Sequence, residues 1–135
     1  MPVQPKDLLL FSESIFNNAV EEVEFRTCAN RAYYACHQEA RRIVPQTSGY
    51  STRRKSKRIT HKDLGDLLQS HKQNTLSIHR SQQDKNIIKI GVLLKQCFVL
   101  REKADYRYND SFKYNQAAMS IRLAEIILKM SQTIP

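Results

Sequence analysis

The sequence predicts an all-α protein, an up-down bundle of about four to five helices. Glycine (3) and proline (4) are scarce among the 135 residues, and β-branched residues are scattered instead of gathered in short runs. Apolar residues recur at helical spacing over long segments, which is typical of amphipathic helices. The length suits one domain with a core that needs neither disulfides nor metal. We therefore expect a single helical domain over residues 1–135.

Local signals give approximate bounds for five helices. Pro5 suits the first turn of a helix, Pro45 disfavours helical geometry at the preceding residue, and Thr60 can cap a helix that follows it. Between the second and third helices, residues 45–60 have no apolar periodicity and predict a mobile loop. The predicted helices cover residues 6–20, 23–44, 61–71, 82–108 and 114–132.

The apolar faces of the first two helices indicate how they pack. On the first, Leu9, Phe16 and Val20 share one side. The inner face of the second is made mostly of small residues, so another helix can approach it closely, and Glu39 falls inside that face. Its members are Phe25, Cys28, Ala29, Ala32, Cys36, Ala40 and Ile43.

The fourth predicted helix carries the clearest candidate site. An apolar face that includes Ile87, Leu94 and Phe98 continues into Arg101 and Asp105, which are spaced i and i+4 and can pair. A charge on a buried face costs free energy unless it is paired or used. The two residues are therefore either a functional site or a structural ion pair, which Glu39 of the second helix can share.

The net charge of +9 points to an anionic partner, most often a nucleic acid. Five basic residues lie within six positions of the predicted loop. Such a run is either a solvated loop or a binding site for RNA or an acidic partner. The candidate RNA-binding residues are Arg53, Arg54, Lys55, Lys57 and Arg58.

Two segments resemble a known family. Residues 31–35 read R-A-Y-Y-A within the stretch 25–37, and residues 101–106 read R-E-K-A-D-Y. Both resemble segments of small bacterial HEPN proteins (higher eukaryotes and prokaryotes nucleotide-binding domain), in the same order and at plausible spacing. The last predicted helix, with Ala124 and Glu125, is similar to the closing helix of that family.

This resemblance implies a helical bundle that forms homodimers. Many HEPN proteins are metal-independent endoribonucleases that use an R-x4-6-H motif, and many are toxins with nucleotidyltransferase-like antitoxin partners or components of phage defence. Arg101 matches the arginine of that motif, but Tyr106 stands in place of the histidine. In branches that read R-x4-H-x-Y, the last tyrosine corresponds to Tyr108.

The missing histidine favours RNA binding over cleavage. Histidine titrates near neutral pH and suits acid–base chemistry, whereas tyrosine, with a pKa near 10, is a poor base at pH 7. Arg101 can still hold a phosphate or stabilise negative charge. We expect Asp105 to orient Arg101, and Tyr106 and Tyr108 to stack or to form hydrogen bonds. The predicted supporting residues are Arg31, Tyr34, His37 and Glu39.

Two other hypotheses remain open for the function of the same residues. One is a non-catalytic interaction module, for example an antitoxin-like or regulatory partner, in which the Arg101–Asp105 pair only holds the bundle together. The other, weaker reading is nucleotide binding at the same pocket.

Other features bear on cofactors and location. His61, His71 and His79 lack the spacing of metal ligands, and no glycine-rich phosphate loop is present, so no metal or cofactor is expected. No apolar run approaches the roughly 20 residues needed to cross a bilayer. Three cysteines in irregular spacing suggest reduced thiols. We expect a cytoplasmic protein without a membrane segment.

Overall fold

A computed structural model describes residues 2–50 and 59–135 and confirms the all-α prediction. Over these residues the chain forms five α-helices, two short 3-10 turns and no β-strand. None of the described helices is both long enough and apolar enough to cross a membrane. The helices are α1 (Pro5–Asn17), α2 (Glu22–Ile43), α3 (His61–Gln69), α4 (Gln82–Tyr106) and α5 (Tyr114–Ser131), and the 3-10 turns are Val44–Gln46 and Ser77–His79.

Helix α2 is the centre of the bundle, with α1, α4 and α5 packed around it and α3 packed against α4. The predicted small-residue face of α2 is buried, which allows this close packing. Glycines also allow close packing where α3 crosses α4. A Cβ atom at Gly91 would lie 2.4 Å from the backbone nitrogen of Gln69. Because backbone atoms cannot move aside easily, α3 depends on the absence of a side chain there.

The first helix ends earlier in the chain than the sequence predicted. Helix α1 ends at Asn17, and Val20, placed by prediction on its apolar face, is exposed in the connection. The backbone N–H groups of Val20 and Glu21 both donate to the carboxylate of Glu24, at 3.1 and 3.0 Å. The carboxylate thereby satisfies two backbone donors at the start of α2. Val20 therefore lies in the connection, bonded to the first turn of α2, and not on the face of α1.

The predicted loop is held in place at its beginning by a buried histidine. The backbone N–H of Ser48 donates to Nδ1 of His71, at 3.0 Å, and the opposite ring nitrogen of His71 donates to Asp84, at 2.8 Å. The hydroxyl of Ser48 also accepts a hydrogen bond from the backbone of Lys72, at 2.9 Å. Residues 48–50 thus start the connection next to α4, and residues 51–58 lie outside the described part of the chain.

Arg26 of α2 ties the centre of the bundle to the end of α4. Its side chain is buried, and its two terminal nitrogens donate to four backbone carbonyl groups. The acceptors are Lys103 and Ala104, at 2.9 and 3.0 Å, and Arg107 and Asp110, at 3.2 and 2.5 Å. The last carbonyl groups of a helix have no partners within the helix. Arg26 supplies such a partner to Ala104, adds a second donor to the carbonyl of Lys103, which also accepts the N–H of Arg107, and ties the turn that follows α4 to α2.

Replacing Arg26 should destabilise the protein more than replacing an exposed arginine does. Arg26→Met keeps much of the side-chain volume but leaves four carbonyl acceptors without their charged donor, so we expect a loss of about 2–4 kcal/mol in unfolding free energy. Urea unfolding followed by circular dichroism measures it. Arg31→Met is the matched control, since Arg31 is exposed on the same helix, and should change stability by about 0.5 kcal/mol or less. Equal losses in the two variants would contradict this role for Arg26.

Candidate functional site

The guanidinium of Arg101 lies among three tyrosine rings, which we call, together with Asp105, the arginine–tyrosine cluster. Its central carbon is 5.6 Å from the ring centre of Tyr33, 5.7 Å from that of Tyr34 and 5.3 Å from that of Tyr106. A cation over aromatic faces at this range is attracted by the ring electrons. The rings come from α2 and from the end of α4, so two helices position one charge.

The ion pair expected between Arg101 and Asp105 is present. The Nε atom of Arg101 lies 2.9 Å from Oδ2 of Asp105, but its N–H group forms no hydrogen bond. The contact is therefore an ion pair in which the N–H is not directed at the carboxylate. Oδ2 instead accepts a hydrogen bond from the side-chain amide of Asn30, at 2.9 Å. Asn30 thus fixes Asp105 from α2, independently of Arg101.

Arg101 stays charged and keeps part of its hydrogen-bonding capacity. Burial would lower the pKa of Arg101, but the attraction of Tyr34 and Asp105 outweighs it, and the pKa of Arg101 is raised. Its Nη2 atom lies 3.4 Å from the hydroxyl of Tyr34 and 3.5 Å from that of Tyr106. These distances are long for hydrogen bonds, so an anionic oxygen can compete for the same donor.

Two histidines extend the arginine–tyrosine cluster toward α3. The rings of His37 and His61 stack, with centres 4.2 Å apart and planes 18° apart. The hydroxyl of Tyr33 lies 2.8 Å from Nδ1 of His61, which connects the pair to the tyrosine beside Arg101. We call His37 and His61 the histidine pair.

His37 is held in its neutral form. Its side chain is only 9% exposed, and Nδ1 is buried with no hydrogen-bond partner among the described residues. Burial, reinforced by electrostatic repulsion from His61, Arg41 and Arg101, lowers the pKa of His37 to about 4. At neutral pH the ring is therefore uncharged, although it lies next to a permanent cation.

The structure separates three predicted site residues from Arg101. Tyr108 lies beyond the end of α4, is 73% exposed and stacks on Arg26, whose guanidinium carbon is 5.5 Å from the ring centre. Glu39 pairs with Arg42 at 2.7 Å, so the ion pair that it was expected to share with Arg101 is not formed. Arg31 is exposed on α2.

The predicted residues Arg101, Asp105, Tyr106, Tyr34 and His37 do come together. Sequence reasoning missed Tyr33 and Asn30 as partners of this group, although Asn30 precedes Tyr34 by one helical turn and shares its face. It also missed His61, for which no local pattern gave a signal. The predicted RNA-binding residues Arg53, Arg54, Lys55, Lys57 and Arg58 lie outside the described residues.

The described part of the chain contains no group of three or more metal-binding side chains. Searches against models of protein families, curated proteins and solved structures found no match to this chain. The chemistry of the site therefore depends on its own residues: a charged arginine, tyrosine rings around it and a stacked histidine pair beside it, of which His37 is uncharged at neutral pH.

The depressed pKa of His37 predicts a loss of stability in acid. The folded-state pKa is about 4 and the unfolded value is near 6.5, so between these values the unfolded chain binds more protons. The contribution of His37 to the free energy of unfolding is therefore fully present above about pH 6.5 and is lost as the pH drops toward 4. Its size is on the order of 2–3 kcal/mol.

Urea unfolding at pH 7 and pH 4.5 tests this expectation, with His37→Gln compared with the unmodified protein. The variant should lose about 2 kcal/mol less on acidification, because the carboxylates that titrate in both proteins cancel in the comparison. His79→Gln removes an exposed histidine and should retain the full acid response. An unchanged response in His37→Gln would show that another group causes the acid sensitivity.

Proposed function

We propose that this protein binds single-stranded RNA at the arginine–tyrosine cluster. The observation that carries the proposal is the placement of Arg101, a charged guanidinium with weakly engaged Nη2, beneath the ring of Tyr106, which is 65% exposed. Proteins that bind single strands combine basic groups along the backbone with aromatic rings on which bases stack. Arg101 would contact a phosphate, and Tyr106 would stack on the adjacent base.

The surroundings of Arg101 suit a reversible phosphate contact. Asp105 orients the guanidinium but does not use its Nε–H in a hydrogen bond. When a phosphate engages Arg101, the carboxylate of Asp105 still has its hydrogen bond from Asn30. The half-buried carboxylate of Asp105 therefore keeps a partner, which keeps the free-energy cost of binding low. The net charge of +9 adds a general attraction for a polyanion.

The resemblance to HEPN proteins supports the same reading and extends it. On that resemblance we propose a role as a toxin or defence component, acting as a homodimer with a nucleotidyltransferase-like antitoxin. The rival reading is a non-catalytic interaction module in which the Arg101–Asp105 pair only stabilises the bundle. The two hypotheses differ in whether replacing the exposed Tyr106 weakens RNA binding.

RNA binding by the arginine–tyrosine cluster predicts different effects for two exposed tyrosines. Tyr106→Ala should weaken binding of a fluorescein-labelled single-stranded RNA by about 1–3 kcal/mol, the usual contribution of one base stack. Tyr108→Ala is the matched control, because Tyr108 is equally exposed but stacks on Arg26, and it should bind normally. Arg101→Lys loses the planar fork and should weaken binding about tenfold with little change in melting temperature.

Fluorescence anisotropy at fixed ionic strength measures these affinities. Equal affinity in Tyr106→Ala and Tyr108→Ala would exclude the arginine–tyrosine cluster as the RNA site. A lower melting temperature in both Arg101→Lys and Asp105→Asn, without any RNA binding by the unmodified protein, would instead favour the interaction module.

A second candidate function is metal-independent RNA cleavage, and the histidine pair is the observation that favours it. In such a reaction the 2′-hydroxyl oxygen attacks phosphorus and the bond to the 5′-oxygen breaks. One base removes the proton from the 2′-hydroxyl, and one acid protonates the leaving oxygen. His37 and His61 provide two imidazoles beside Arg101, and Arg101 would stabilise the additional negative charge at phosphorus.

Cleavage is tested in EDTA by following the appearance of 2′,3′-cyclic phosphate ends on a labelled RNA. If the histidine pair supplies acid and base, His37→Gln and His61→Gln should each lower the rate by about 100-fold or more, while an RNA with hydroxyl groups at both ends is still bound. Tyr106→His, which restores the R-x4-H spacing, should raise the rate. No cyclic phosphate from either the unmodified protein or a folded Tyr106→His variant would leave binding alone as the function.

A further inference from the structure

A small cavity opens beside the histidine pair, between the later part of α2 and the start of α3. Its volume is about 210 Å³, below the roughly 300–1,000 Å³ of typical small-molecule sites. The cavity therefore suits a compact group instead of a whole nucleoside. It is lined by His37, Arg41, Ile59, Thr60 and His61.

The groups around this cavity favour an anion. Arg41 is a permanent cation at its edge, and the cavity lies at the N-terminus of α3, where the helix dipole places partial positive charge. One carboxylate, that of Asp63, belongs to the first turn of α3, and the backbone N–H of Asp63 is already bonded to the cap residue Thr60, at 3.1 Å.

His37 gives a second, independent indication of a ligand. More than nine-tenths of its side chain is buried, and its Nδ1 atom has no hydrogen-bond partner among the described residues. Buried polar atoms without a partner are rare in native structures and usually have a specific explanation. The pKa of His37 is lowered first by burial and then by electrostatic repulsion from His61, Arg41 and Arg101, of which the two arginines are permanent cations. A bound anion would offset that positive charge.

We propose that this cavity binds a phosphomonoester dianion, the terminal phosphate of an RNA strand whose adjoining nucleotides lie on the arginine–tyrosine cluster. This inference rests on the proposed RNA binding and names the end of the strand as the recognised group. A terminal phosphate carries about −1.5 to −2 charges and three acceptor oxygens. A phosphodiester carries a single charge and continues in both directions, which a small cavity does not accommodate.

The connection between the two sites follows from Tyr33. Its hydroxyl contacts Nδ1 of His61 at the cavity, and its ring lies beside the guanidinium of Arg101. Tyr33 itself is buried, so it does not contact the strand but places the cavity and the arginine–tyrosine cluster next to each other, and in the proposal a strand that begins in the cavity continues onto the cluster. In this arrangement Arg41 and His37 recognise the terminal phosphate, and Arg101 contacts a phosphate within the strand.

The test compares one RNA sequence with a 5′-phosphate, with a 3′-phosphate and with hydroxyl groups at both ends. One of the two phosphorylated forms should bind the unmodified protein about tenfold more tightly than the hydroxyl form. Arg41→Gln should abolish that preference and keep the affinity for the hydroxyl form. Because Arg41 is exposed, its replacement should leave the fold intact. Arg122→Gln, which removes an exposed arginine on α5, should keep the preference.

Inorganic phosphate gives a measurement that does not depend on RNA. Millimolar phosphate should raise the melting temperature relative to chloride of equal ionic strength, since a ligand of the folded state stabilises it, and Arg41→Gln should remove the effect. If all three RNAs bind equally well and phosphate has no specific effect, the cavity proposal is wrong and the proposed RNA binding stands. If phosphate stabilises through Arg41 but no RNA binds, the anion site holds free phosphate, and the RNA source and the proposed function both fail.

Discussion

The side chain of Arg26 is the constraint on which the candidate site depends. By donating to four carbonyl groups at and beyond the end of α4, it determines where that helix stops and how the chain turns afterwards. Tyr106 is the last helical residue and stays beside Arg101. Tyr108, only two residues later, lies over Arg26 instead. One buried arginine thus assigns two neighbouring tyrosines to different surroundings.

The site is built on helices, so its geometry is maintained by the core of the bundle. Asn30 and the tyrosine pair come from α2, Arg101 and Asp105 come from α4, and these two helices pack directly against each other. Positions on packed helices move little, which favours recognition by groups already in place. Only Tyr106 is mainly exposed, so it is the group with most freedom to meet a base.

The site combines a permanently charged side chain with one whose charge depends on protonation. Arg101 is a permanent cation that lies against Asp105 and the tyrosine rings, whereas His37 is kept neutral first by burial and then by its neighbours, which include Arg41 and Arg101. A phosphate would interact with the first directly and would favour protonation of the second. The proposed recognition of RNA and of its terminal phosphate therefore rests on one continuous group of side chains, of which Tyr33 is the connection.

The helices and the Arg101–Asp105 pair were determined by the sequence alone, because helical periodicity and i,i+4 contacts depend only on local spacing. The approach of His61 to His37 and the pairing of Glu39 with Arg42 were decided by tertiary structure. His61 reaches His37 only because α3 packs across the bundle, and no spacing along the chain encodes that. The start of α2 depended likewise on the carboxylate of Glu24, which accepts the backbone N–H groups of Val20 and Glu21, as the end of α4 depended on Arg26.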